Sequence, residues 1–387
     1  MVDCMKSVGV VESHAGQLAD VLIEADVRGH YSHGLNRLDM YIKDCQKKVC
    51  KTDGVPKILK RQKWKVISGS NHYGIAGWYV MRAMKEGVMA MSFTNTSPIQ
   101  YPTRASVPAL GTNPMAIGVN GTGDDHFLLD MATTTVAIGK VEIAKRRGES
   151  VPETWGVEKG GKLSTNPETI LGGGGLFPLG GSEVTGGYKG YGLGAMVEIF
   201  CGILSGAHWG PHIRKWMSAT TEADLGQCFI AVDPEAFAPG FHERMQEFIN
   251  TMRNLPAWDL GGYKGYGLGA MVEIFCGILS GAHWGPHIRK WMSATTEADL
   301  GQCFIAVDPE AFAPGFHERM QEFINTMRNL PAFDDKLRVE VAGDAERKHV
   351  KLVQDIGGIN YHPNQIKNAD ELAASLNVKK LTVLKEY

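Results

Sequence analysis

The chain is 387 residues long, with 40 Lys and Arg against 42 Asp and Glu and a formal charge of −2. That balance excludes a strongly basic nucleic-acid binder and an acidic tail, and 43% hydrophobic with 21% charged residues is the mixture of a globular chain rather than a disordered one. The length leaves room for two or three domains with a sizeable core, and 47 glycines, well above an average share of ~7%, point to many tight turns and close backbone approaches.

The chain opens with MVDCMKSVGVVESH, which has no apolar run of the kind a secretory leader carries. Residues 13–28 place Ala15, Leu18, Leu22 and Ala25 at helical spacing, with Ser13 as N-cap and Gly29 as stop. A second helix is expected from about 32 to 45, and residues 51–64 read as a basic turn. Strands follow at 66–68, 88–94, 115–119 and 127–131, with a helix at 78–85 between the first two and another at 136–147 ending on Gly148. Residues 148–187 are loop-rich. The longest apolar stretch, 195–204, is broken by Glu198 and Gly202 and is too short to span a bilayer.

An internal repeat dominates the second half. Residues 186–257 recur unchanged at 261–332, an offset of 75, with Trp258, Asp259 and Leu260 between the copies. Each copy predicts a buried helix (195–204), a strand (228–232) and an amphipathic helix (241–255). After them come a strand at 338–341, a helix at 346–356 and a last helix capped by Asn368 and Glu371. Strands and helices alternate, which predicts an α/β or α+β fold with a mixed sheet flanked by helices. The expected layout is a helical segment (1–64), a mixed-sheet core (65–185), the two copies, and a C-terminal segment (333–387) completing the core.

One close-packed cavity cannot accept both copies. Three origins or arrangements stay open: an assembly, splicing or duplication event without purpose, a swapped or extended dimer contact, or a hybrid of the first half of one copy with the second half of the other. Four of the seven cysteines (Cys4, Cys45, Cys50, Cys201, Cys228, Cys276, Cys303) lie in the copies, and none form a CxxC pair. Their odd number argues for reduced thiols and a cytosolic compartment.

Several motifs fail in context. Gly190, Gly192 and Ala195 match G-x-G-x-x-A, but no apolar strand precedes them and no acid follows at about 20 residues. Gly156, Gly161 and Lys162 lack the Ser or Thr a P-loop needs. His208 and His212 are four apart, but Gly210 and Pro211 break the helix that would align them for a metal, so no metal site is expected.

Other stretches hold their polar groups in a more telling pattern. His33, Arg37 and Tyr41 recur every fourth residue, a stripe that offers a proton-transfer group, a guanidinium fork and a phenol. Such a set suits a small carboxylate, although a solvated polar helix face has the same spacing. Ser70 to Gly74 forms a second polar cluster, and Thr94 to Pro98 and Asp130 to Thr135 each follow an apolar strand, where ligand crevices and phosphate-binding turns are found.

Taken in order, ADVRGHYSHGLNRL (25–38), GSNHYGIAG (69–77), SFTNTSP (92–98), ALGTNP (109–114), LDMATT (129–134), GGYKGYGL (186–193) and GGINYHPNQ (357–365) make the chain resemble the malate/L-lactate dehydrogenase family without a Rossmann domain. The resemblance implies a non-Rossmann fold, and hydride transfer between NAD or NADP and a small 2-hydroxy or 2-oxo acid of malate or lactate type. It also implies a homodimer, with neither nucleic acid nor membrane as partner. By position it makes His33 and His72 the acid/base candidates and Arg37 the partner of the substrate carboxylate. Thr96, Asp130, Met131, Ala132, Lys189, Gly343 and Asp344 become cofactor contacts, with Lys264 an equal claimant for the lysine. The chain departs from the family in lacking a strand and helix before GSNHYG and in carrying the extra copy. An inactive or nucleotide-binding-only relative is the alternative expectation.

Overall fold

The computed structural model describes residues 1–27, 34–48, 52–54, 64–255, 262–288 and 299–357, and the single positions 363, 364, 367, 374 and 383. They fall into two units, Met1–Val339 and Glu340–Tyr387.

The first unit begins with helices α1 (Val2–Ser7), α2 (Glu12–Val27) and α3 (Leu38–Gln46), the last entered through a 3-10 turn, Leu35–Arg37. Met5, Ala15, Leu22, Tyr41 and Cys45 close a small core between them. Then come β1 (Trp64–Ser70), α4 (Ala76–Lys85), β2 (Met89–Thr94), β3 (Met115–Asn120), β4 (His126–Met131) and α5 (Ile138–Arg147). A minor sheet of β5 (Gly156–Val157), β6 (Leu163–Ser164) and β7 (Gly175–Leu176) surrounds α6 (Pro167–Leu171). The first copy supplies α7 (Gly187–Glu198), β8 (Leu225–Val232) and α8 (Phe241–Arg253), and the second supplies α9 (Tyr263–Glu273) and α10 (Phe316–Arg328). Among the described residues no helix is long and apolar enough to cross a membrane.

The main sheet has the order β1-β8-β2-β3-β4, and every neighbouring pair is antiparallel. This corrects the expected mixed sheet. The five-residue turn between β3 and β4 makes a hairpin, and hairpins are antiparallel by construction. Side chains alternate across β2: Met89, Met91 and Phe93 face the main core, and Ala90 faces α4 on the other side. The main core adds Phe241, Met245 and Phe248 of α8, all fully buried. Each contributes about 1.5–3 kcal/mol relative to exposure.

The two copies take different places despite identical sequence. The first copy's strand fills the slot between β1 and β2. The matching segment of the second copy, 300–307, makes only an isolated bridge at Leu300 and no strand, and its Phe304 is 88% exposed. One slot accepts one strand, so the strand expected in the second copy does not form. The helix α7 lies so close to residues 179–181 that a side chain at Gly190 would meet the backbone of Leu179 at 2.2 Å, whereas its twin Gly265 has nothing within 4 Å.

The copies also exchange their C-terminal helices. Arg244 Nε on α8 donates to the Ile278 carbonyl at 3.0 Å, and Arg319 Nε on α10 donates to the Ile203 carbonyl at 2.8 Å. Phe248 meets Trp284 edge-on at 5.4 Å, and Phe323 meets Trp209 at 5.6 Å. His287 faces Glu247 and His212 faces Glu322, both at 3.4 Å. Each copy therefore packs its last helix on the other copy's buried helical turn.

This asymmetry has a simple readout. Cys228 is buried and Cys303 exposed, and the tryptic peptide that carries them is common to both copies. A thiol reagent on native protein is expected to modify about half of that peptide, because thiol reactivity follows exposure. Complete modification would mean that neither copy is fixed in the sheet.

Residues 338–341, the last two of the first unit and the first two of the second, carry no strand, another correction. Helix α11 (Asp344–Ile356) starts where Asp344 Oδ2 accepts the Val341 N–H at 3.0 Å and pairs with Arg347, and it ends before Gly357 at φ 68°. The helix cap expected at Asn368 lies outside the described residues.

Candidate active site

A cavity of about 450 Å³ opens beside the ends of β2 and β4 and the starts of α4 and α5. Among its walls are Arg37, His72, Thr96, Asp130, Met131 and Ala132, six of the residues singled out from the sequence. His33 lies outside the described residues. Gly343 and Asp344 belong to the second unit.

His72 sits in the loop between β1 and α4. The Tyr41 hydroxyl bonds its Nδ1, and the Gly74 N–H donates to the same nitrogen at 3.2 Å. Asn71 Oδ1 accepts the His72 N–H at 2.8 Å, and Asn71 Nδ2 donates to Asp44 Oδ2 at 2.8 Å. Asp44 is paired with Arg214 in a nearly buried ion pair. Gly74 has φ 92°, and a Cβ there would strike Val21 of α2 at 1.9 Å, so the N-terminal helices pin the loop from behind. The tyrosine of the His-Arg-Tyr stripe thus belongs to the imidazole.

Arg37 is buried in a 3-10 turn rather than on an α-helix. Its Nη2 donates to Glu142 Oε2 at 2.9 Å, and its guanidinium lies 5.0 Å from the ring centre of Trp216. Trp216 Nε1 donates to Glu142 Oε1 at 3.3 Å, and the ring stands 6.2 Å from that of His72. The three side chains fix one another beside the imidazole.

Thr96 and Thr112 make a hydroxyl-lined wall, with the Thr112 N–H donating to Thr96 Oγ1 at 2.9 Å. Asp130 Oδ2 accepts the Gly77 N–H at 2.8 Å and so occupies the positive end of α4. The start of α5, at Ala137 and Ile138, also lines the cavity. Such an N-terminus favours an anion.

The lysine comes from the second copy. Lys264 Nζ donates to the carbonyls of Ala132 at 3.1 Å and Thr134 at 2.7 Å, and only 5% of the residue is exposed. Burial, reinforced by Lys140, pushes its ammonium down to about 8, against the pull of Asp130. Lys189 is exposed and does not line the cavity. The site is therefore composite, with Trp216 and Leu225 from the first copy and Tyr263 and Lys264 from the second.

Sequence reasoning missed Trp216, Lys140 and Glu142. Lys140 had a signal, since it falls in the first turn of the helix that follows LDMATT. Trp216 and Glu142 had none, because their roles depend on pairings far apart in the chain. Among the described residues no group of three or more His, Cys, Asp or Glu side chains is placed to hold a metal.

The family profile described as malate/L-lactate dehydrogenase matches residues 1–66, 63–260 and 255–368. The chain belongs to that family. Two seams in the match fall where the sequence departs from the family order, before GSNHYG and between the copies. The malate dehydrogenase of Pyrococcus abyssi is 36% identical over 292 residues, 66% of this chain and 79% of that protein. The (2R)-3-sulfolactate dehydrogenase (NADP(+)) of Chromohalobacter salexigens is 30% identical over 300 residues, 69% of this chain and 88% of that protein. Among solved structures, the malate dehydrogenase of Entamoeba histolytica superposes with a TM-score of 0.63 at 30% identity, covering 68% of this chain and 84% of that one.

Proposed function

We propose that the chain is an NAD- or NADP-dependent dehydrogenase that interconverts a small 2-hydroxy acid and the corresponding 2-oxo acid, with malate- or lactate-like substrates. The observation that carries this reading is the meeting of Arg37, His72, Thr96, Asp130 to Ala132 and Lys264 around one cavity. Family membership supports the same chemistry.

The donor set fits a nicotinamide dinucleotide. Two lysines, Lys140 and Lys264, and the start of α5 face the cavity and complement a pyrophosphate. Thr96, the Asp130 to Ala132 turn and Lys264 would hold this cofactor. When bound, the nicotinamide supplies or accepts the hydride.

The protein's own residues do the rest. Arg37 provides the cation against which the substrate carboxylate sits, and Trp216 and Glu142 keep its fork oriented. His72 exchanges the proton of the substrate hydroxyl. The Tyr41 hydroxyl and the Gly74 N–H hold Nδ1, which leaves Nε2 for the substrate. As imidazolium the ring gives its Nε2 proton to the carbonyl oxygen when hydride arrives at carbon and is left as neutral imidazole, and in the reverse direction the neutral ring takes the hydroxyl proton back. Imidazole suits both directions near neutral pH.

The test is oxidation of NADH and NADPH by purified protein with oxaloacetate, pyruvate and 3-sulfopyruvate. Turnover with at least one acid is expected in the ordinary range of about 1–10³ s⁻¹. Absence of turnover with every acid, together with no binding of either nucleotide, would refute the proposal.

A further inference from the structure

Glu198 ends α7 with its side chain fully buried, and the proton and hydride chemistry does not use it. Asn95 Nδ2 donates to Oε2 at 2.9 Å, Asn113 Nδ2 to Oε1 at 2.9 Å, and the Gly210 N–H to Oε2 at 3.2 Å. Burial pushes the carboxyl up to about 7 even with these donors in place. A buried acid is costly unless its lone pairs are satisfied, and here the two asparagine amides and the backbone N–H groups of Gly210 and Gly111 converge on it.

Both asparagines reach onward. Asn113 Oδ1 accepts the Thr96 N–H at 3.0 Å, and Asn95 Oδ1 accepts the Gly226 N–H on β8 at 2.9 Å. Thr96 in turn holds Thr112, and the two threonines line the cavity. A single side chain, Asn113, thus separates the buried carboxylate from the cavity wall.

The second copy supplies a control in identical sequence. Glu273, the twin of Glu198, is only half-buried and keeps the local contact alone: the Gly285 N–H donates to its Oε2 at 3.1 Å. Among the described residues no asparagine reaches it. The shared backbone contact belongs to the block itself, and the asparagine contacts exist only where the block is seated on β2 and β3.

We propose that Glu198 is a positioning residue of the site: through Asn113 and Asn95 it fixes the Thr96 and Thr112 wall against which the nicotinamide cofactor rests. The inference rests on the dehydrogenase reading above. A carboxylate is needed because both asparagines present N–H groups to it and it has none of its own. A glutamine would set an amide N–H against one of them. That asparagine would have to turn, and a turned Asn113 releases the Thr96 N–H.

The experiment compares E198Q with E273Q in the full chain, measuring cofactor KM, kcat and the NAD(P)H dissociation constant by nucleotide fluorescence. E198Q is expected to raise cofactor KM and Kd about tenfold while kcat stays within about threefold, as the loss of one charge-assisted hydrogen bond predicts. E273Q is expected to match the wild type in all three. If E198Q does not melt cooperatively, E198D, charged but one methylene short of spanning both asparagines, must raise the same KM. An unchanged cofactor KM in the folded variant, an equal effect of E273Q, or a loss confined to kcat would overturn the proposal. Wild-type protein that binds NAD(P)H without reducing any acid refutes the activity alone, and the Kd series then decides the role of Glu198. Wild-type protein that neither binds nor turns over removes both.

Discussion

His72→Ala is expected to lower kcat for 2-oxo acid reduction by about 10²–10⁴-fold, the usual worth of a positioned proton donor, with NAD(P)H affinity within about threefold of wild type. The split follows from placement. The Tyr41 hydroxyl and the Gly74 N–H hold Nδ1, and Asn71 holds the His72 backbone through the Asp44–Arg214 pair. The ring is thus held in one place beside Trp216, on which Arg37 stacks. Tyr41→Phe tests the same idea more gently, because it removes the hydroxyl on Nδ1 and leaves the proton donor in place. Its kcat should fall by about tenfold, a hydrogen bond's worth. If His72→Ala leaves kcat near wild type, the proton passes through another group, and His33 is the next to be changed.

The elements legible in the sequence are those defined by local periodicity. The strands at 89–94, 115–120 and 126–131 and the helices at 12–27, 76–85 and 241–253 follow apolar spacing. The polar groups of the site were legible for a related reason: SNHYG and TNTSP come directly after apolar strands, so their side chains emerge where a sheet ends. Strand direction was less accessible. The β3–β4 turn is short enough to imply a hairpin, but β8 pairs with β1 and β2 from more than a hundred residues away, and nothing local encodes that.

The repeat sets a firmer limit. Two identical segments have identical propensities, so no periodicity can say which strand fills the sheet or which lysine reaches the cavity. Packing decides it, and decides it differently for different parts. The first copy's helix and strand take the seats under the sheet and within it, whereas the second copy's helix brings its lysine to the Ala132 to Thr134 turn. Arg37 shows the complementary case. Its residue type and spacing marked it for a carboxylate, but its partner Glu142 lies 105 positions away.

Lys264→Ala is expected to weaken NAD(P)H binding by about 10–100-fold, whereas Lys189→Ala should leave it within about twofold, since a hydrogen bond to a charged group is worth about 1.5–3 kcal/mol. The two residues are chemically indistinguishable in sequence, each the lysine of GGYKG, and only their seats differ. Lys264 is buried against the cavity and Lys189 faces solvent. The pH dependence follows with a definite sign. Burial brings the Lys264 ammonium down to about 8, so the cation proposed to attract the dinucleotide is lost as pH rises through that value. Affinity should therefore fall between pH 7 and 9.5 in the wild type and stay flatter in Lys264→Arg, whose guanidinium does not titrate there. The same group acts on the free protein in the opposite direction. The folded state releases this proton at about 8 and the unfolded chain only near the ordinary lysine value, so its contribution to stability increases with pH between the two. Calorimetric titration of NADH against the three variants and the wild type across this range separates the lysines. Greater sensitivity of Lys189→Ala would mean that the copies have changed places in solution.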